Sequence, residues 1–148
     1  MSTEMMNRPE SNTAALAVSD VMNTGIAYTD MNLRDRKQAV AFYNATANPD
    51  MKLKEHVNEV IDLVHVSVEC AEVNAQLEDG SAGKAVAPRI VLIDAEGKSY
   101  SCVSTGIYNS LKRLFALVGN PETWSEPVKV KPVLISTKKG QVLSLILV

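Results

Sequence analysis

From Val64 to Ala71 the chain alternates strictly. Val64, Val66, Val68 and Cys70 fall on one side and His65, Ser67, Glu69 and Ala71 on the other, the period of a strand with one wet face. Adjacent apolar residues at Val60 and Ile61 break the alternation, so a bulge or bend is expected there, letting one long strand serve two portions of a sheet. After a loop rich in Gly, Ser and Asp at 78–84, PRIVLID (88–94) reads as a nearly continuous apolar strand. The tight-turn sequence DAEG then leads into KSYSCVS, predicting a hairpin. Ser104 or Thr105 caps a segment in which Ile107, Tyr108, Leu111, Leu114, Phe115 and Val118 recur at helical spacing, and Gly119-Asn120-Pro121 stops it. In VKVKPVLIS, Val128 and Val130 alternate with Lys129 and Lys131 before Pro132 removes a ladder donor, which predicts a bent or edge strand. A turn at Thr137–Gly140 and the apolar strand QVLSLILV close the chain.

Two stretches are less regular. Residues 1–32 show no steady periodicity, although Ala14–Val18 suits a helical turn or a short strand. Residues 1–35 are therefore read as an arm, ordered where it docks. RKQAVAFYNATANPD supports a helix through Ala39–Ala41 and equally a strand through Phe42, Tyr43 and Thr46, and Asn48-Pro49-Asp50 ends either one. The order strand, strand, hairpin, helix, strand, strand, all joined by short connections, closes most economically as an OB-type Greek-key barrel. The expected fold is mainly β, with one α-helix, an N-terminal extension and a domain spanning 36–148.

The 148 residues suffice for one domain with a proper core. No stretch approaches the roughly 20 apolar residues of a membrane span, and MSTEMMNRPESN lacks the layout of a secretory signal. A soluble protein of the cytoplasm is expected. Cys70 and Cys102 are too few for a disulfide framework and read as buried filler, while His56 and His65 add no tight metal-ligand spacing. No metal and no cofactor is expected. A Gly-rich phosphate loop, a carboxylate cluster and a Ser-His or Cys-His arrangement are all missing from the pattern, so no catalytic residue and no enzyme is predicted. Charge is divided unevenly. Residues 1–97 carry eight Lys/Arg against fifteen Asp/Glu, whereas 98–148 carry seven against only Glu122 and Glu126. Such asymmetry fits a phosphate-binding surface, and equally a sheet face kept soluble by lysines.

The layout resembles the small single-stranded-DNA-binding proteins of tailed phages that replicate linear genomes by protein priming. The resemblance rests on Phe42-Tyr43-Asn44-Ala45 followed by a long strand, on the hairpin containing DAEGKSYS, on the helix after it, and on VKV…TKKG…LSLILV. It covers about residues 36–148. It implies an OB fold, sequence-independent binding of single-stranded DNA, no enzymatic activity, and Tyr100 as the stacking tyrosine.

Single-strand binding needs flat rings for bases and cations for phosphates. Period 2 puts Lys98 and Tyr100 on one side of their strand, where they can present a charge and a ring together, unless Tyr100 instead packs across the barrel mouth. In a strand, Phe42 and Tyr43 point to opposite faces, and Tyr43 is taken as the exposed one. Trp124, between Pro121 and Pro127, either stacks on a base or lids the barrel. Lys129, Lys131, Lys138 and Lys139 fit the sheet face and last loop that OB domains use, and Lys52 and Lys54 extend the track. The expected partners are single-stranded DNA, other replication proteins, and further copies of the chain through its N-terminal arm, with no membrane partner. The competing class is a β-rich phage assembly protein whose arm mediates self-association.

Overall fold

A computed structural model describes residues 17–148. Among these residues seven strands form one curled, half-barrel sheet: β1 (Tyr28–Thr29), β2 (Met51–Lys52), β3 (Ile61–Gln76), β4 (Ala82–Asp94), β5 (Ser99–Val103), β6 (Val128–Thr137) and β7 (Gly140–Leu147). The strand order is β2-β5-β4-β3-β6-β7, with β1 beside β3. All pairings are antiparallel except the two-residue contact of β2 with β5, where Met51 lies opposite Tyr100 and Lys52 opposite Ser101. Among the described residues no pairing joins β2 to β7, so the half-barrel stays open between these edges. The expected mainly-β, OB-like fold is the observed one.

β3 serves two partners on one edge, pairing with β6 through Ile61–Leu63 and with β1 through Ser67 and Val68. The irregularity between them lies at Leu63/His65, not at Val60 and Ile61. It shifts the parity of the strand, which is why Leu63, Val66 and Val68 are all buried while Val60 is an exposed residue just before the strand.

The inner face of the sheet carries the main core. Leu63, Val66, Val68, Ile90, Leu92, Tyr100 and Val130 pack there against Ile107, Leu111 and Phe115 of helix α3 (Thr105–Val118). Ser104 caps this helix, its Oγ accepting the Ile107 N–H at 3.0 Å, and Gly119 ends it with φ +85°. α3 also blankets the free edge of β7, where Ser110 Oγ accepts the Leu145 N–H at 3.1 Å. The outward N–H of Leu145 marks the Pro132–Leu145 pair as one without ladder bonds, so proline costs β6 no bond to β7. Pro132 is buried, and its carbonyl accepts the Asn58 N–H at 2.7 Å.

The segment read as an arm supplies part of this core. Val18 and Val21, the latter in the short helix α1 (Val21–Thr24), are buried there, and the Tyr108 hydroxyl donates to the Val18 carbonyl at 2.8 Å. The Ala14–Val18 reading falls mostly outside the described residues.

Residues Arg36–Ala47 form helix α2, which resolves the ambiguity of that segment and adds a second long helix to the one expected. Asp35 caps it, its side chain accepting the Gln38 N–H at 3.2 Å. The helix lies on the outer face of the sheet, where Phe42 and Ala45 meet Met31, Val91 and Ile93. The β3 face expected to be wet is therefore covered in part, and Ser67 is buried.

Candidate nucleic-acid interface

The seam between the β5 and β7 edges holds a cleft of about 480 Å³ lined by Lys52, Lys54, Arg89, Ser101, Ser104 and Leu143, with Cys102 and Val103. Lys52 arrives on β2, held beside Ser101 by the parallel pairing, and Lys54 follows in the 3₁₀ turn Leu53–His56, anchored by the fully buried Leu53. Arg89 projects from β4 opposite Val103. Its guanidinium donates to the Thr46 carbonyl at the end of α2 at 2.8 Å and lies 3.7 Å from the Glu69 carboxylate. Among the described residues neither Lys52 nor Lys54 forms an ion pair. Among the described residues no carboxylate lines the cleft. Burial pushes the Cys102 thiol up to about 12, so it stays protonated at neutral pH and adds no negative charge. Three cations, two serine hydroxyls and the N-terminal end of a 14-residue helix meet at this cleft, giving it a positive electrostatic character.

Sequence reasoning passed over Arg89. The available signal was a lone cation inside the otherwise apolar run PRIVLID. It also placed Lys52 and Lys54 at the margin of the track, whereas the fold brings them to the cleft.

The aromatic candidates separate clearly. Tyr43 is 66 % exposed, as expected, but it stands on helix α2 and not in a strand. Tyr100 is 8 % exposed on the inner face, with His56 edge-on to its ring at 5.4 Å between centroids. Its hydroxyl donates to Asp94 at 3.1 Å, and burial first, then Asp94, pushes its pKa up to about 12. The open ring face expected of Tyr100 is absent, because its neighbour across the sheet is the buried Leu92. Trp124 takes the lid role: its indole N–H donates to the Val118 and Gly119 carbonyls at 3.1 Å each, and its ring packs edge-on against Phe115. Tyr108 and Phe115 belong to the core.

The remaining lysines are spread out. Lys98 lies 3.6 Å from Glu96 in the β4–β5 turn, and Lys129 is tied to Asp62 at 2.8 Å. Lys131 is half-buried, and Lys138 and Lys139 stand exposed at the tip of the β6–β7 hairpin. The structure thus groups Lys52 and Lys54 with Arg89, and it does not bring Tyr100 and Lys129 into one exposed groove.

A β-rich half-barrel with a cationic cleft at its open seam is an architecture that nucleic-acid-binding domains use. The family described as Phage Single-stranded DNA-binding protein, of phi29 type, matches residues 21–147, and the chain belongs to this family. That membership supports single-stranded DNA binding in phage replication. The match begins within the segment read as an arm, in keeping with the core positions of Val21 and Tyr28. No curated protein and no solved structure matches the chain. Among the described residues, no helix is long and apolar enough to cross a membrane.

Proposed function

We propose that the protein coats single-stranded DNA without sequence preference and without catalysis, holding phosphates in the cleft of Lys52, Lys54 and Arg89. The observation that carries this reading is the convergence of three cations from β2, the following turn and β4 on a lining free of carboxylates. Phosphate contacts of this kind are blind to sequence. Tyr43 offers an exposed ring for stacking, and Lys138 and Lys139 offer a second basic contact on the projecting hairpin. Tyr100 is left out of the base contacts because its ring is enclosed.

Fluorescence anisotropy with labelled oligothymidylate, read at 50 and 200 mM salt, tests the proposal. Affinity is expected to fall steeply as salt rises, because bound phosphates release counterions. Absence of any complex at the lower salt overturns the reading.

On the same reading the protein acts in the host cytoplasm among other replication proteins, and copies self-associate through residues 1–35. Within that segment Val18, Val21 and Tyr28 belong to the core, so the informative truncation removes residues 1–16. Analytical ultracentrifugation is expected to show a smaller species for the truncated chain than for the full one. Identical sedimentation per unit mass of both would remove the N-terminal segment from the association.

A further inference from the structure

A second cleft, of about 520 Å³, opens between α2 and the outer face of the sheet, within the size range of small-ligand pockets. Its floor is apolar and flat, built from Ala41 and Ala45 of the helix and Ile93 of β4. Its walls carry Lys37 and Asn44 of α2, Asn48 at the C-cap of that helix, and His65 of β3. The side-chain amides of Asn44 and Asn48 make no hydrogen bond among the described residues. The His65 ring is aimed by Asp30, whose carboxylate faces Nδ1 at 2.7 Å and also accepts the Val66 N–H at 2.7 Å. A carboxylate partner places the proton on Nδ1, so Nε2 is left for a ligand.

We infer that this cleft receives a base of the bound strand, while the neighbouring cationic cleft holds the adjoining phosphate. The inference rests on the proposed single-strand binding. Two observations separate the roles of the clefts. The α2 cleft carries one lysine, Lys37, together with the carboxylate of Asp50, and Asp30 stands behind His65, so it has no excess of positive charge for a phosphate, while its amides offer both donors and acceptors to a neutral base edge. The cationic cleft shows the reverse chemistry. The two are also joined along β5. Ser99 lines the first and Ser101 the second, on the same outer face and two residues apart, a step of about 7 Å. Asp50 is locked at the junction, accepting the Ser99 N–H at 2.9 Å and the Ser99 hydroxyl at 3.2 Å, which keeps the wall between the clefts fixed. Because an asparagine amide can present either its oxygen or its nitrogen, the pocket tolerates any base and remains compatible with binding that ignores sequence.

The test compares oligothymidylate with an abasic deoxyribose-phosphate chain of equal length, each titrated against the full chain and its N44A/N48A and H65A variants. Asn44 is an exposed position of α2 and Asn48 an exposed C-cap that bonds to the helix through its backbone N–H, so alanine at either removes no side-chain bond that holds the fold. The N44A/N48A variant is expected to bind oligothymidylate about tenfold more weakly and the abasic chain as well as the unaltered protein does, with H65A shifting in the same direction. Unchanged binding of oligothymidylate by N44A/N48A overturns the inference, as does an equal loss on both chains, which would place a phosphate in the cleft. Failure of the unaltered protein to bind either chain overturns the single-strand-binding proposal itself, a distinct result.

Discussion

Replacing Gly106 by alanine is expected to lower the melting temperature by about 10 °C, through a loss of about 3 kcal/mol or more. Alanine within a helix ordinarily favours folding over glycine by up to about 1 kcal/mol, so the predicted sign is opposite to helix propensity. The reason is position. A methyl group at residue 106 would overlap the Leu143 carbonyl oxygen and come within 2.7 Å of Val142 Cγ1. That oxygen belongs to the backbone of β7, which is paired to β6 along its length and bonded to Ser110 through Leu145. It cannot give way without undocking α3 or bending the strand. Thermal unfolding followed by circular dichroism measures the effect, with Asn109→Ala, an exposed position on the same helix, as the control expected to stay near the unaltered protein. A Gly106→Ala protein as stable as the parent would mean that α3 does not approach β7 this closely.

Removing the three cations of the seam should produce the largest functional effect. Each phosphate contact on a single strand contributes a salt slope of about 0.7, so the Lys52→Ala, Lys54→Ala, Arg89→Ala triple variant should lose about 2 from the slope of log affinity against log salt. Carried down from high salt, that slope corresponds to about a hundredfold weaker binding near 50 mM, with the two proteins converging as salt rises. Lys129→Ala is the matched comparison. Its ammonium already faces Asp62 at 2.8 Å, so its loss should change affinity by less than about twofold, as for most exposed ion-paired lysines. A triple variant with an unchanged slope would move the phosphate path elsewhere, and the Lys138–Lys139 tip would then be the next surface to test.

What could be read from the sequence divides along the line between local and non-local information. Helix α3 was legible because its signals are adjacent in the chain: a serine cap, an apolar stripe at helical spacing and a terminating glycine. The β4–β5 hairpin was legible for the same reason, since Asp94 Oδ1 accepts the Glu96 and Lys98 N–H groups and Gly97 supplies φ +84° within one turn. Helix α2 was ambiguous because it buries so little of itself: Ala45 is its one buried residue, and Phe42 is only half-covered. Its helical state follows from an outer-face cluster formed with Val91 and Ile93, some fifty residues away in the chain. Tyr100 was misjudged on similar grounds. Alternation placed it with Lys98 and Cys102 on one side of β5, but which side faces the core is decided by Leu92 and Ile90 across the ladder. The candidate site shows the limit most plainly. Lys52 and Lys54 meet Arg89 only because two residues of β2 pair in parallel with β5, and no spacing rule within the segment 51–54 announces that contact.

The unclosed sheet also bears on how a strand is loaded. A barrel closed around its ligand must be threaded from a free end or must break backbone pairing to admit an internal stretch. Here the clefts lie along the rim and outer face of a sheet whose two edges do not pair among the described residues. On the proposed reading, a strand seated there would enter and leave sideways, so exposed single strand could be covered anywhere along its length and each copy lifted off without unfolding.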